Sequence, residues 1–269
     1  MAPDSECDLD KLESKWALWR EFLTGEDQHS IFNQIYIMLW DAAIWRIINE
    51  ARRHSEALPG GGIAQNGMIH NFIDRAFFNG QALMIRRLYE SEPPQKKRQV
   101  SLRGLIKDIK FNAHLLTMRN LRRVSAISYA PIFIKNEVIK PEIFEYLGGR
   151  LVDSCKNISI YVDKFVAHAS TQENRGKLHT KYAQITFTQI MNAQKVICGV
   201  ANFLDIKIFS DVQHGCLPLP SPGYLDFISE PLCPEGAIQF LDTKWKEYDE
   251  ESFEWGNIMV SDVVNYLNT

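Results

Sequence analysis

The residues best suited to chemistry lie in the segment IYVDKFVAHAS, which runs from Ile160 to Ser170. Its histidine, His168, follows Lys164 by four residues, so at about 100° per residue the two side chains lie within about 40° on one helix. A half-buried imidazole beside a lysine stays neutral, because burial and the positive neighbour both disfavour protonation. His168 is therefore a candidate acid/base group and Lys164 a candidate catalytic cation. The alternative is a histidine without a catalytic role at a helix end.

Two charged residues interrupt an apolar run in the segment LWDAAIWRI. Asp41 and Arg46 stand there among tryptophan, alanine and isoleucine. A charge among such neighbours is rarely left unpaired, because removing it from water is costly. One hypothesis places Asp41 and Arg46 in structural ion pairs with another helix. The other has Arg46 facing the His168 cleft as a phosphate ligand.

Further cations are candidates for binding RNA or another phosphate. Arg75 and Arg86 share a polar stripe of the third predicted helix with Asn79. Three more belong to the proline-punctuated segment SEPPQKKRQ. With Arg46, the candidates are Arg46, Arg75, Arg86, Lys96, Lys97 and Arg98.

Charge is unevenly distributed along the chain. The stretch 96–123 holds nine basic residues and one acid, Asp108, whereas 235–262 is mainly acidic. A basic face can bind a phosphate backbone. A solvated helix face with a charged linker gives the same pattern, so both interpretations stay open.

The chain shows no motif for a metal or a cofactor. Its 5 cysteines have no CxxC spacing. His214, Cys216 and Cys233 lack a convincing fourth ligand for zinc. The glycine-rich segment PGGGIAQNGM lacks the lysine and the preceding strand of a phosphate-binding loop. We therefore expect no metal and no cofactor.

Apolar residues recur every three or four positions over long stretches, which predicts an all-α fold. The pattern places a first helix at Leu9–Leu23, a second from near Asp27 and a third from Gly67 to Glu90. A fourth is capped by Ser101, a fifth carries Pro141 in its first turn, and a sixth covers Leu178–Leu204. The fifth carries an apolar seam, which consists of Leu151, Cys155, Ile158, Val162, Phe165 and Ala169.

The predicted organisation is one helical domain with an extension. Residues 1–207 form the bundle, with a core at about 27–204. Residues 208–269 begin with a proline-rich strap at 208–236 and end in short helices that pack on the same domain. The net charge of −3 gives no general attraction to nucleic acid or to a membrane. No apolar run is long enough to span a bilayer, so we expect a cytoplasmic protein.

The order of these elements resembles the HEPN superfamily, in particular its abortive-infection subgroup from prokaryotic defence systems. The likeness covers about residues 31–204 and rests on LWDAAIWRI, ALMIRRLYE, the serine-capped SLRGLIKDI and DKFVAHAS. It implies an up-and-down helical bundle, to which the pattern of this chain adds an N-terminal helix and a proline-rich C-terminal extension. It also implies a homodimer in which the motif helices of two subunits face each other. Many members are metal-independent endoribonucleases whose signature is an arginine, a gap of four to six residues, and a histidine.

This sequence departs from the signature at the arginine. The three positions allowed before His168 are Tyr161, Val162 and Asp163, and none is basic. Lys164 or an arginine of a neighbouring helix could supply the missing cation. The resemblance therefore implies a phage-defence or toxin ribonuclease. The alternative is an inactive module that binds RNA or a partner protein, such as an antitoxin.

Overall fold

The computed structural model describes residues 6–56, 67–90, 100–124, 134–135, 138–166, 184–209 and 237–268. Within these ranges the all-α prediction is confirmed, and the only strands form a hairpin of two residues each, Ile134–Lys135 (β1) and Val138–Ile139 (β2). The α-helices span Glu6–Thr24 (α1), Ile31–Glu56 (α2), Gly67–Tyr89 (α3), Leu102–Phe111 (α4), Met118–Val124 (α5), Pro141–Tyr161 (α6), Phe187–Phe203 (α7) and Ala237–Asn268 (α8).

Several helix ends follow from local chemistry. The Ser101 hydroxyl accepts a hydrogen bond from the Gly104 amide at 3.2 Å, which confirms the predicted cap of α4. Pro141 is the first residue of α6, where its missing N–H costs nothing. Helix α2 begins at Ile31 rather than near Asp27, because Asp27 forms a turn in which its carbonyl accepts from the Ser30 amide at 2.8 Å.

The two helices α6 and α7 continue into wider π-helical turns. These cover Val162–Val166 after α6 and Leu204–Phe209 after α7. Ile208 and Phe209 are buried at the end of the second turn, although the sequence places them at the start of an extended strap. The rest of the proline-rich segment, residues 210–236, lies outside the described residues.

The core lies between α2, α3, α6 and α7, and α8 covers α7. The predicted seam of α6 is buried at Leu151, Cys155, Ile158 and Val162, each at most 1% exposed. Phe165 is only half-buried, and Ala169 lies outside the described residues. Burial raises the pKa of the Cys155 thiol to about 12, so this cysteine serves packing rather than nucleophilic chemistry.

The chain ends in one helix of 32 residues, α8, instead of the short helices that the sequence predicts. It approaches α7 closely at two glycines. A Cβ on Gly199 would stand 2.9 Å from the Met259 Cβ, and one on Gly256 would stand 3.1 Å from the Asn202 Cβ. Both positions therefore exclude larger side chains from the crossing of the two helices.

Candidate functional site

Of the candidate acid/base group His168 and the candidate cation Lys164, the structure describes only Lys164. His168 lies outside the described residues, which end at Val166 on this side of the gap. Lys164 is half-buried in the π-helical turn Val162–Val166, and it forms no ion pair with a described residue. Turns of this type occur frequently at functional sites.

The π-helical turn changes the geometry that the sequence suggests. Its hydrogen bonds join residues five apart, so the rotation per residue is smaller than the 100° of an α-helix. The step of 100° per residue therefore does not apply within residues 162–166. Asp163, which an ideal helix directs away from the Lys164 face, forms an ion pair with a neighbouring helix.

An arginine of α3 reaches this turn. The Arg86 Nε donates to Asp163 Oδ1 at 2.7 Å, and its Nη1 donates to Glu90 Oε2 at 3.4 Å. Arg86 is 28% exposed, so its guanidinium meets solvent as well as the two carboxylates. Of the three arginines considered as replacements for the missing cation, Arg86 is the one that contacts the chain close to His168.

The hydrogen bonds of Arg86 leave part of its guanidinium unused. A guanidinium carries five N–H donors, and the bonds to Asp163 and Glu90 use one on Nε and one on Nη1. The two donors on Nη2 and the second on Nη1 make no bond to a described residue. This free edge can bind two oxygens of a phosphate at once.

Two more polar side chains of α3 share the face of Arg86. The Asn79 Oδ1 accepts from the Tyr161 hydroxyl at 3.4 Å, at the end of α6. The Tyr161 ring in turn stacks on Phe165, with centroids 5.4 Å apart. Arg75 is exposed one turn before Asn79 and forms no ion pair with a described residue. Two residues of the polar stripe of α3 therefore contact the end of α6 and the turn that follows it, Asn79 through Tyr161 and Arg86 through Asp163.

Arg46 has a different location, between α2, α7 and α8. Its guanidinium carbon lies 3.8 Å from the Tyr248 ring centroid and 5.3 Å from that of Phe187. Its Nη1 lies 3.5 Å from Glu251 Oε2, and its Nη2 lies 3.0 Å from the Met191 sulfur. These contacts form one wall of a cavity of about 590 Å³. Arg46 thus forms an ion pair with another helix and packs on aromatic rings.

Asp41 does not pair with Arg46 or with another described residue. It stands at the mouth of a cavity of about 400 Å³ between α2 and α3, beside Trp40, Ile44 and Phe77. Partial burial raises the pKa of its carboxyl group above the usual 3.8. The sequence predicts a structural ion pair here, and the described residues supply no partner for it.

The raised pKa of Asp41 predicts a stability change that depends on pH. The folded state binds the proton of Asp41 more tightly than the unfolded chain does. The free energy of unfolding therefore falls as pH rises above 3.8, the ordinary pKa of the group, towards the raised pKa of the folded state. The charge of Asp41 therefore costs stability at neutral pH. We expect Asp41→Asn to raise the urea midpoint at pH 7 and to lose this advantage below pH 4.

Asp153→Asn is the matched control for that measurement, since Asp153 is an exposed aspartate on α6. It should leave the urea midpoint unchanged at both pH values. An Asp41→Asn variant that is less stable than wild type at pH 7 would show that the carboxylate has a stabilising partner.

Only some of the remaining basic residues lie within the described residues. Lys96, Lys97 and Arg98 lie outside the described residues, whereas the other six basic residues of 96–123 lie on or beside α4 and α5. The described segments contain no group of three or more His, Cys, Asp or Glu side chains placed to bind a metal ion. None of their helices is long and apolar enough to cross a membrane.

Sequence patterns alone gave little indication that two further residues, Glu90 and Phe111, are candidates for a functional role. Glu90 stands four residues after Arg86, a spacing that favours an ion pair on a helix. Only the tertiary structure shows that Glu90 and Asp163 bind the same guanidinium. Phe111 lies on the polar side of α4 and is 82% exposed. An apolar residue on the polar side of an amphipathic helix is the pattern that identifies it.

Comparisons with known proteins do not identify the chain. No family model, no curated protein and no solved structure matches it. The resemblance to the HEPN superfamily therefore rests on the quoted segments, and its consequences are proposals.

Proposed function

We propose that the protein is a metal-independent endoribonuclease of the HEPN type, acting as a toxin or abortive-infection effector. In this proposal His168 is the acid/base group. Arg86 of α3, together with Lys164, supplies the positive charge that the signature places on the histidine's own helix. The observation that carries the proposal is the contact of 2.7 Å between Arg86 Nε and Asp163 Oδ1, five residues before His168.

The proposed reaction needs three groups and no metal. A base removes the proton of the ribose 2′-hydroxyl, and the 2′-oxygen then attacks the phosphorus. The bond from phosphorus to the 5′-oxygen breaks, and an acid gives this oxygen a proton. A guanidinium beside the non-bridging oxygens stabilises the negative charge of the transition state. The products are a 2′,3′-cyclic phosphate and a free 5′-hydroxyl.

Charge balance around Arg86 favours a second candidate function. Asp163 and Glu90 together carry two negative charges against the single charge of Arg86, and Lys164 adds one positive charge. The cluster is therefore close to neutral, which weakens its attraction for phosphate. The second candidate is a catalytically inactive HEPN-like module that binds RNA or a partner protein in a defence or toxin–antitoxin system.

The resemblance also gives proposals for assembly and location. A homodimer would bring the two copies of the His168 segment together, and a partner protein such as an antitoxin would hold the ribonuclease inactive. We propose a cytoplasmic location, where cellular RNA is the substrate. Light scattering of the purified chain tests the dimer directly.

Incubation of purified wild-type protein with cellular RNA in EDTA tests the ribonuclease proposal. We expect fragments that end in a 2′,3′-cyclic phosphate and begin with a 5′-hydroxyl. Intact RNA after incubation of a folded protein that binds RNA would favour the inactive module instead. Cleavage only with added divalent metal would contradict the proposed chemistry.

Arg86→Ala tests the role of the guanidinium. We expect kcat to fall by about 100- to 1000-fold, as for loss of one donor that stabilises transition-state charge. Arg86→Lys should restore part of this loss, because lysine keeps the charge without the two-pronged geometry. Measurement of kcat separately from KM distinguishes this effect from weaker RNA binding.

Arg87→Ala is the control for this comparison, since Arg87 is the next residue of α3 and is exposed. It should leave kcat unchanged. Equal losses in the Arg86→Ala and Arg87→Ala variants would mean that the effect comes from surface charge rather than from the contact with Asp163.

A further inference from the structure

The solvent face of α4 carries an unusual combination of residues. Its buried face consists of Leu102, Leu105, Ile106 and Ile109. On the opposite face, Arg103, Lys107 and Lys110 recur at helical spacing, and Phe111 follows them. Phe111 is 82% exposed, more than any other large apolar side chain among the described residues.

A solvated helix face explains the cations but not the phenylalanine. Exposure of an aromatic ring to water is unfavourable, whereas its face is suited to stack on another flat group. The cations beside it, of which Lys107 and Lys110 are exposed and Arg103 is half-buried, favour a ligand that carries negative charge along its length. A strand of nucleic acid has both properties, since every base has a flat face and every nucleotide has a phosphate.

The cations of this face remain able to bind phosphate. Arg103 lies over the Tyr89 ring, with its guanidinium carbon 4.5 Å from the centroid, and a cation–π contact of this kind uses the charge of the guanidinium rather than hydrogen bonds from its N–H donors. Lys110 Nζ lies 2.9 Å from Glu145 Oε1, but the two side chains are 46% and 55% exposed. Such a surface pair contributes little free energy, so a phosphate can replace the carboxylate.

The position of α4 connects this face to the proposed site. The Ser101 hydroxyl at its start donates to the carbonyl of Glu90, the residue whose side chain bonds Arg86. From Ser101 to Phe111 the helix rises about 15 Å. At a stacked spacing of about 3.4 Å per base this length corresponds to roughly four nucleotides. A strand along α4 would thus lead from Phe111 towards Arg86.

We infer that the exposed face of α4, formed by Arg103, Lys107, Lys110 and Phe111, binds single-stranded RNA, with the cations along the phosphates and Phe111 stacked on a base. The inference rests on the proposed function, because it assigns the substrate of that site as a single strand. Duplex RNA binds poorly to this face, since its bases are already stacked on each other and cannot reach a side chain.

Fluorescence anisotropy with a labelled single-stranded RNA tests the inference. Every protein in the test also carries His168→Ala, so that the RNA stays intact. We expect Phe111→Ala to weaken binding by about 5- to 160-fold, the range for loss of one stacked base. Lys107→Gln should reduce the slope of log affinity against log salt concentration by about 0.7, the value for one phosphate contact on a single strand.

Phe253→Ala is the matched control, since Phe253 is 46% exposed on the acidic helix α8. It should bind the RNA as the parent does. The inference is overturned if the parent fails to bind single-stranded RNA, if it prefers a duplex of the same sequence, or if Phe111→Ala and Phe253→Ala bind equally. Circular dichroism checks that both variants are folded.

A membrane surface is the other partner that an exposed phenylalanine and lysines can contact. Vesicles that contain phosphatidylserine therefore form a second arm of the test. Binding to vesicles that Phe111→Ala abolishes, without a change in RNA binding, would overturn the inference in favour of a lipid surface.

The two proposals can fail separately. If RNA binding depends on Phe111 but the protein with intact His168 does not cleave RNA, the ribonuclease proposal fails alone. If cleavage proceeds but the Phe111→Ala variant binds normally, the α4 inference fails alone.

Discussion

If the proposed ribonuclease function is correct, we expect His168→Ala to reduce cleavage of RNA in EDTA by about 100- to 10,000-fold, the usual contribution of a general acid or base. The physical reason is that the 2′-hydroxyl is a weak nucleophile until a base removes its proton. In the proposal Arg86 and Lys164 supply positive charge, whereas histidine is the side chain type suited to proton transfer near neutral pH. The histidine is therefore expected to have a larger effect than either cation.

The measurement compares initial rates of the wild type and the variant over a range of pH. The wild-type rate should depend on pH over the range in which an imidazole gains or loses its proton, and this dependence should be absent in the variant. His54→Ala is the control, because His54 is a histidine to which the proposed mechanism gives no role; it stacks on Phe240 of α8, with ring centroids 5.7 Å apart. A His168→Ala variant with wild-type rates would remove His168 from the mechanism.

The second large effect concerns the packing of α1 on α4. Trp19 has no exposed surface, and its Nε1 donates to Asp108 Oδ2 at 2.7 Å. Lys15 Nζ donates to the same carboxylate at 2.9 and 3.0 Å. Trp19→Ala should reduce the free energy of unfolding by about 3–5 kcal/mol, because it leaves a cavity and removes a donor from Asp108. Urea denaturation measures this change.

Trp19→Phe separates the two causes. It retains most of the ring and loses only the donor, so we expect a loss of about 1.5–3 kcal/mol, the usual value for a hydrogen bond to a charged group. Trp16→Phe controls for the change of ring. Trp16 is 5% exposed, and its ring contacts that of Phe209 edge to face, with centroids 5.0 Å apart. Equal stability of the Trp19→Ala variant and the wild type would mean that α1 contributes nothing to the folded core.

The sequence by itself determined the features that depend on neighbouring residues. Apolar periodicity predicts the long helices because a helix repeats its faces every 3.6 residues, whatever it packs against. Ser101 and Pro141 mark helix starts because each acts within one turn of the backbone. The apolar seam of α6 is predicted for the same reason, and the structure confirms it at Leu151, Cys155, Ile158 and Val162.

Only the tertiary structure decided which charged groups meet. Arg86 and Asp163 are 77 residues apart in sequence, and Arg46 and Glu251 are 205 apart, so no local pattern selects either pair. Hydrophobic packing of α3 on α6 and of α8 on α2 brings these side chains together, and it leaves Asp41 without an ion-pair partner among the described residues. The long α8 also depends on packing, since Gly256 lowers its local helix propensity while allowing its close approach to α7. Side-chain pairs of this kind follow from the packing of whole helices, which periodicity along one helix does not specify.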